Sequence, residues 1–232
     1  MTRRDITDLQ KLGGPVVSRQ RGEVISREGQ PAEGFHLLLD GWVSSSVRLR
    51  NGKRLIQKLH LPGDMLGTPS LTLPSAADTL TALTEGKTSF VSEVSLRKLF
   101  ASNPKLSALF FMAAQLERIT LMDALASAGR SSALENMAHL LLDLHGRLGA
   151  LGAVSNDSFY LPITQEMIGD ILGITAVHVN RVLREMSRGG LVKFEGRTMC
   201  LLNLQKLRAR SPLPIRVPRS KLPWLPGAKA VA

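Results

Sequence analysis

Three polar side chains close together in the second half of the chain could hydrogen-bond to the edges of nucleic-acid bases. His178, Asn180 and Arg181 lie within four consecutive positions. An arginine guanidinium matches the O6 and N7 acceptors of guanine, and an asparagine amide matches the N6 and N7 atoms of adenine. Val177, beside them, could contact the methyl group of a thymine. On one exposed helical face, these residues would be suited to recognise bases in a major groove.

The flanking residues predict two short helices joined by a tight turn. Thr164 can cap a first helix beginning at Gln165, because its side-chain oxygen can accept a free backbone N–H group. Gly173 can adopt the left-handed conformation that ends this helix, and Thr175 can cap a second one. Gly169 suits a position where the second helix crosses too closely for a side chain. In the second helix an apolar face with spacing i, i+3, i+4, i+7 is formed by Val179, Val182, Leu183 and Met186.

This pattern is typical of a helix-turn-helix that reads double-stranded DNA with its second helix. The predicted base contacts are Val177, Asn180 and Arg181, and His178 is predicted to contact a base or a phosphate. The predicted phosphate contacts, which position the protein without reading sequence, are Thr164, Gln165, Thr175, Arg184 and Arg188. The simpler alternative for the arginines is a solvated helix face, and for His178 it is a structural or solvated side chain.

Positive charge is concentrated in and behind this segment. The net charge of +11 and the pI near 10.5 indicate a polyanionic partner, either nucleic acid or an acidic membrane surface. Between residues 176 and 221, eleven Arg or Lys residues stand against Glu185 and Glu195, which accounts for nine of the eleven net charges. The chain has no apolar run of about 18 residues and no apolar signal core near its start. We therefore expect a cytoplasmic protein with no membrane partner.

The other reactive residue types form no catalytic or metal-binding pattern. Cys200 is the single cysteine, which excludes a cysteine-ligated zinc or iron–sulfur site within one chain. The chain also lacks a Gly-x-x-x-x-Gly-Lys-Ser/Thr loop, a Gly-x-Ser-x-Gly elbow and a His-Glu-x-x-His motif. Because these catalytic motifs are missing, we expect no enzyme activity. We also expect no metal and no haem, because no metal-ligand spacing is found among His36, His60, His139 and His145.

Two composition patterns divide the rest of the chain. From Arg19 to about Glu93, short apolar runs alternate with turn residues, and Asn51-Gly52 predicts a hairpin with a type I′ turn. This predicts a small antiparallel β-barrel or sandwich in a domain spanning 1–102. From residue 103, apolar residues at gaps of three and four predict one long helix over 103–130, ended by Gly129.

The apolar residues of this long helix predict a homodimer interface, although they could instead pack only on their own barrel. Residues 131–210 then predict a winged helix-turn-helix domain with a helix near 132–147 and a hairpin turning at Glu195-Gly196. The proline-rich segment 211–232 predicts a basic tail that is disordered or loosely docked. The predicted dimer residues are Leu109, Met112, Leu116, Ile119, Met122 and Ala126.

Two sets of motifs give the chain a family resemblance. One is LPITQEMIGDILGITAVHVNRVLREM at 161–186, and the other is a series of turns in the first half, Gly22-Glu23-Val24-Ile25, Glu28-Gly29, Asp40-Gly41, Pro62-Gly63-Asp64 and Gly67. The chain resembles the Crp/Fnr superfamily, the bacterial regulators that include the cyclic-AMP receptor protein. The resemblance implies an α+β fold, with an N-terminal cyclic-nucleotide-binding-type β-barrel (jelly roll), a long dimerisation helix and a C-terminal winged helix-turn-helix. It also implies a homodimer that binds operator DNA and contacts RNA polymerase.

The chain departs from the cyclic-AMP-binding members at the effector pocket. Those members follow the glycine corresponding to Gly67 with a Glu for the ribose, and later carry an Arg-Ser pair for the cyclic phosphate. Here Thr68 follows Gly67, and Ala76-Ala77 is followed by Asp78. An arginine would form a charge-assisted hydrogen bond to the phosphate, whereas Asp78 would repel it. We expect these five residues to form an effector pocket that does not bind cyclic AMP, and we expect no iron–sulfur cluster.

The sequence thus favours a transcription regulator that binds a palindromic operator and responds to a signal other than cyclic AMP. Two alternatives remain open at this point. The regulator could need no ligand and be governed by its expression level. In a different class, the chain could be a small-molecule-binding interaction module, with a helix-turn-helix that only packs and a basic tail that docks on a membrane or protein.

Overall fold

The computed structural model describes residues 11–214, 216, 219 and 222–225. None of the helices in these ranges is long and apolar enough to cross a membrane. The strands are β1 (Val16–Arg19), β2 (Val24–Ser26), β3 (Gly34–Asp40), β4 (Val43–Arg48), β5 (Arg54–His60), β6 (Met65–Leu66), β7 (Thr79–Ala82), β8 (Gly86–Ser92), β9 (Ser158–Tyr160), β10 (Val192–Glu195) and β11 (Thr198–Leu201). The helices are α1 (Glu93–Ser102), α2 (Pro104–Arg130), α3 (Ala133–Ala150), α4 (Gln165–Leu172), α5 (Ala176–Arg188) and α6 (Leu204–Arg210), with a short 3-10 helix at Thr68–Thr72.

Strands β1 to β8 form two antiparallel sheets of four strands, in the orders β1-β8-β3-β6 and β2-β7-β4-β5. Alternate side chains of a strand point to opposite faces, so each sheet can bury one face against the other. A small apolar core between the sheets contains Leu38, Val43, Leu66 and Leu80. The predicted β-barrel domain is confirmed.

The predicted hairpin joins β4 to β5, but its turn differs from the prediction. A type I′ turn needs positive φ at both central residues, and of this pair only Gly52 has it, at 80°. Gly52 N donates to Leu49 O at 2.9 Å, and Leu49 N donates to Lys53 O at 2.9 Å. One left-handed glycine after a turn is common in hairpin loops of three to five residues, so the type I′ prediction is wrong.

Helix α2 is one continuous helix of 27 residues. Asn103 caps its start by accepting the backbone N–H of Leu106 at 3.1 Å. The prediction that Gly129 ends it is wrong, because Gly129 keeps a helical backbone and the break comes at Ser131, whose ψ is 148°. Ser132 then begins α3 with a reciprocal capping box.

The predicted dimer residues lie in different surroundings along α2. Leu109 packs on the apolar cluster around Phe35 of its own barrel. Met112, Leu116 and Ile119 line a cleft within the same chain, whereas Met122 and Ala126 are exposed. At about 100° per residue the six fall within an arc of roughly 140°, whose two ends have different neighbours. A narrower face is exposed along its length, at gaps of 3, 4, 3 and 4, and contains Phe111, Ala114, Arg118, Leu121 and Leu125.

The C-terminal domain packs directly on the barrel. Its core, formed by α3, α4, α5 and the sheet β10-β11-β9, is continuous with Trp42, Ile56 and Leu59 on the barrel surface. Arg54 of β5 pairs with Asp170 of α4 at 2.6 Å. This ion pair and the shared core join β5 to the first helix of the helix-turn-helix.

The described part of the predicted tail contains no helix or strand and is docked on two helices. Arg216 donates through Nε and Nη2 to both carboxylate oxygens of Asp123, at 2.7 and 2.8 Å. The hydroxyl of Ser211 lies 3.0 Å from Nδ1 of His139. The predictions for 1–10 and for 215, 217, 218, 220, 221 and 226–232 lie outside the described residues.

Candidate nucleic-acid interface

The predicted caps and turn of the two-helix segment are confirmed. The hydroxyl oxygen of Thr164 accepts the backbone N–H of Met167 at 3.2 Å and so starts α4. The hydroxyl oxygen of Thr175 accepts the N–H of His178 at 3.3 Å and starts α5 in the same way. Gly173 has a φ of 69° and ends α4 in the left-handed region. Both threonines are exposed, and each hydroxyl hydrogen remains available to a phosphate oxygen.

Gly169 lies where a side chain has no room, as predicted, but the crowding group is different. A Cβ atom built on Gly169 would lie 2.6 Å from the carbonyl oxygen of Ile174, which belongs to the turn between the helices. The prediction placed the second helix itself there. The turn backbone packs on α4, and this contact sets the distance between α4 and α5.

Helix α5 has a buried apolar side and an exposed polar side. Val179, Val182 and Met186 are buried, which confirms the predicted inward face. Val177 is 82% exposed. Arg181, Arg184 and Arg188 are also exposed, whereas Gln165, His178 and Asn180 are half-buried.

Two hydrogen bonds organise the polar residues near the start of α5. Asn180 Nδ2 donates to Gln165 Oε1 at 3.2 Å and joins α5 to α4, so part of its amide is engaged within the protein. Arg181 Nη2 lies 3.0 Å from His178 Nε2, which can accept a hydrogen bond when the imidazole is neutral. The other N–H groups of Arg181 remain available. The Arg181 guanidinium is therefore exposed and oriented by His178.

The hairpin β10–β11 adds basic residues that the sequence prediction of DNA contacts omitted. Lys193 and Arg197 lie on the two sides of the turn at Gly196. The ion pair with Glu195 raises the pKa of Lys193, and Arg197 Nη1 donates to the Tyr160 hydroxyl at 3.4 Å. Their positions beside the predicted turn at Gly196 are the sequence signal that would identify them.

The five residues of the predicted effector pocket lie in one stretch of the barrel domain, residues 67–78. Gly67, with a φ of 78°, starts the 3-10 helix that contains Thr68. Ala77 N donates to the Ser70 hydroxyl at 3.1 Å, and Ala76 is buried. This segment brings Asp78 into the protein interior.

Asp78 is the ionisable residue of this segment. Its carboxyl group is buried and hydrogen-bonds to Ser45, and within the described residues its Oδ1 atom has no partner. Burial raises the pKa of Asp78, and the negative charge of Glu117 raises it further. His60 Nε2 lies 3.2 Å from the Ser45 hydroxyl, and burial lowers the pKa of His60 well below its usual value. Asp78 and His60 are therefore both buried beside Ser45.

No cluster of three or more potential metal ligands occurs in the part of the chain that the structure describes. The prediction of a metal-free protein rests on the ligand spacing in the sequence.

Two family models match the chain. The model of a cyclic nucleotide-binding domain matches residues 16–103, and that of a Crp-like helix-turn-helix domain matches residues 135–210. The transcriptional regulatory protein btr of Bordetella pertussis is 24% identical over 208 residues, which cover 90% of this chain and 86% of that protein. A CRP-like cAMP-activated global transcriptional regulator of Mycobacterium tuberculosis is 26% identical over 198 residues, covering 82% and 85%.

Solved structures share the fold along most of the chain. FixK2 from Bradyrhizobium japonicum has a TM-score of 0.78 at 28% identity, with 87% of this chain and 98% of that chain covered. The c-di-GMP responsive regulator CLP of Xanthomonas campestris has a TM-score of 0.69 at 17% identity, covering 87% and 100%. The curated relatives named above are transcription regulators rather than enzymes.

Proposed function

Because the chain belongs to the Crp/Fnr superfamily of DNA-binding transcription regulators, we propose that it is a homodimer that reads a palindromic operator with α5. The observation that carries this proposal is the exposed face of α5, where Arg181 is held by His178 and surrounded by further basic residues. Dimer symmetry would match the two half-sites, spaced about one helical turn, or roughly 34 Å, apart. The protein would act on chromosomal DNA in the cytoplasm.

The basic residues divide into two roles in this proposal. Arg181 reads a guanine, and Val177 contacts a neighbouring base. Arg184, Arg188 and the capping residue Thr164 contact phosphates. Asn180 has a mixed role, because its bond to Gln165 also holds the two helices together.

An operator-selection experiment with the full-length protein tests these roles. Arg181→Ala should relax the base preference at one position per half-site and weaken binding about 5-fold to 150-fold, the value of a good bidentate contact. Arg188→Ala is the matched control, since loss of a phosphate contact weakens all sequences alike and lowers the salt slope by about one. Unchanged base preference in Arg181→Ala, with only weaker binding, would contradict the assigned role.

We assign the dimer contact to the exposed face of α2 rather than to the residues predicted from the sequence. Leu125 is 76% exposed and Phe111 is 60% exposed, which is unusual for large apolar side chains on one helical face. Gaps of 3, 4, 3 and 4 are the heptad spacing of a two-stranded coiled coil.

Sedimentation measurements test this interface. Leu125→Asp should give a monomer with an intact fold, because it places a charge in the seam. Leu73→Asp is the control, since Leu73 is also exposed but lies on the barrel. If the Leu125→Asp protein remains dimeric, the dimer interface is not on this face of α2.

The signal in this proposal is not cyclic AMP, and no haem or iron–sulfur cluster is required. Support comes from Asp78, which lies in the segment where a cyclic phosphate would need a cation. Calorimetry with cyclic AMP should detect no binding, and micromolar affinity would contradict this.

Operator affinity would also be measured after cell extracts are added. If no extract changes it, a regulator controlled by its own expression level is favoured. Contact with RNA polymerase is part of the proposal and is tested by transcription from the selected operator.

A further inference from the structure

We propose that the segment following α6 is a strap that holds the helix-turn-helix domain in one orientation on the long helix α2. The strap is defined here by its described residues, 211–214, 216, 219 and 222–225. It leaves α6, contacts α3 and then contacts α2. The effect that we expect on operator binding rests on the proposed DNA-binding function, whereas the strap itself is tested without DNA.

The first anchor of the strap is on α3. The Ser211 hydroxyl donates to the carbonyl oxygen of Leu213 at 2.7 Å. A hydroxyl group has one hydrogen to donate, so in the 3.0 Å contact between Ser211 Oγ and His139 Nδ1 the imidazole is the donor. These two bonds fix the start of the strap on α3, directly after α6 ends at Arg210.

The second anchor is the ion pair between Arg216 and Asp123 of α2. Both carboxylate oxygens accept from the guanidinium, at 2.7 and 2.8 Å, and bidentate pairs of this kind are among the strong hydrogen bonds of proteins. The Asp123 side chain is only 11% exposed, whereas that of Arg216 is 56% exposed. Arg216 lowers the pKa of Asp123. Removal of the strap would therefore leave a mostly buried carboxylate without this counter-charge, which is unfavourable.

Further along, the strap borders a cleft between the barrel and the two helices. The cleft has a volume of about 850 Å³. Its wall contains Arg219 and Leu222 of the strap together with Met65 of β6, Met112 of α2 and Gly146 of α3. The strap thus lies beside the barrel domain, the long helix and the DNA-reading domain at once.

The two anchors lie on opposite sides of the break between α2 and α3. Asp123 precedes Ser131 by eight residues, and His139 follows it by eight. At 1.5 Å per residue, each anchor is about 12 Å from the break along its helix. A bend of about 20° at the break would move His139 by roughly 4 Å relative to α2, so the strap would have to rearrange or lose an anchor. Its contacts therefore favour the described orientation over others.

The strap leaves the proposed dimer face of α2 free. Successive residues of an α-helix are about 100° apart, so Asp123 lies about 160° around the helix from both Leu121 and Leu125. The strap and a second copy of the chain would therefore contact opposite sides of α2. A substitution at Asp123 can release the strap without removing the dimer contact.

A fixed orientation matters for a protein that reads two half-sites at once. The two α5 helices of a dimer must be held about one helical turn, or roughly 34 Å, apart on the operator. A domain that is already held in place loses less conformational freedom on binding than one that can swing. The strap should therefore raise the affinity for a complete operator and have little effect on a single half-site.

Hydrogen exchange of the full-length protein, measured without DNA, tests the strap. Arg216→Ala and Asp123→Asn should each speed exchange of the backbone amides at 127–136 about twofold to tenfold, the effect of losing one partly buried ion pair. Arg216→Lys keeps the charge but not the bidentate geometry and should give an intermediate rate. Arg208→Ala is the control, because Arg208 is exposed on α6 and makes no side-chain ion pair within the described residues. Unchanged exchange in both Arg216→Ala and Asp123→Asn would overturn the proposal.

Operator titrations with the same variants test the consequence for DNA binding. Arg216→Ala should weaken binding to the complete operator about twofold to tenfold and binding to a single half-site less than about twofold. Arg208→Ala removes the same charge and should affect both DNAs alike. Equal losses on the two DNAs in Arg216→Ala, or tighter operator binding, would overturn the role of the strap in orienting the domain. If the unaltered protein binds no operator, the DNA-binding proposal fails, and the exchange rates still decide whether the strap exists.

Discussion

Replacement of Gly169 by alanine tests the packing that holds the two helices of the DNA-reading unit together. The added methyl group would lie 2.6 Å from the carbonyl oxygen of Ile174, and ordinary contact begins at 3.4 Å. The turn must therefore move by about 0.8 Å in a close-packed region. This movement also strains the hydrogen bond from Ile174 N to Gly169 O, which is 3.0 Å long.

The magnitude follows from two opposing effects. Overpacking of this kind costs about 1–3 kcal/mol, whereas the higher helix propensity of alanine returns about 1 kcal/mol. We expect a net destabilisation of up to about 2 kcal/mol. In a chain of this size, this lowers the melting temperature by up to roughly 8 °C. Operator affinity should fall as well, because α5 is displaced relative to α4.

Gly146→Ala is the matched control, measured by thermal unfolding and operator titration under the same conditions. Gly146 lies inside α3, and no atom lies within 4 Å of an added Cβ. Its replacement should therefore stabilise the protein by about 0.5–1 kcal/mol through helix propensity alone. If Gly169→Ala matches Gly146→Ala in both stability and operator affinity, the close contact at Ile174 is not what positions the helices.

Three further predictions concern pH and salt. Burial, with a smaller effect of Arg19, lowers the pKa of His36 from 6.5 to about 4. The free energy of unfolding should therefore fall as the pH decreases from 6.5 to about 4. Denaturant titrations should show a shallower fall in the His36→Leu variant. The Arg216 guanidinium lowers the pKa of Asp123 below 3.8. This pair should therefore stabilise the fold above that pH and lose its effect as Asp123 becomes protonated. The Asp123→Asn variant should lack this acid-sensitive contribution to the free energy of unfolding. Operator affinity should decrease linearly on a log–log plot against salt concentration, and a flat plot would contradict binding through the basic face of α5.

The helix-turn-helix was predictable because its determinants are local. The caps at Thr164 and Thr175 and the left-handed Gly173 each act on backbone groups within a few residues. The apolar spacing of α5 also identifies its buried side, since a short helix packed on one side must bury its apolar face. The same reasoning identified the barrel from its turns, although the type of turn at Gly52 depended on hydrogen bonds that the residue pair alone does not specify.

The face of α2 that remains free was not predictable from the spacing of apolar residues. Both Leu109 and Leu125 fit a pattern of threes and fours, yet Leu109 packs on the barrel and Leu125 is exposed. The ion pair between Arg54 and Asp170 likewise joins elements from distant parts of the chain. The amino-acid sequence alone determined where helices begin, end and turn, because neighbouring residues make those hydrogen bonds. Only the tertiary structure decided which side chains are buried, paired or left free, because burial depends on which distant surfaces meet.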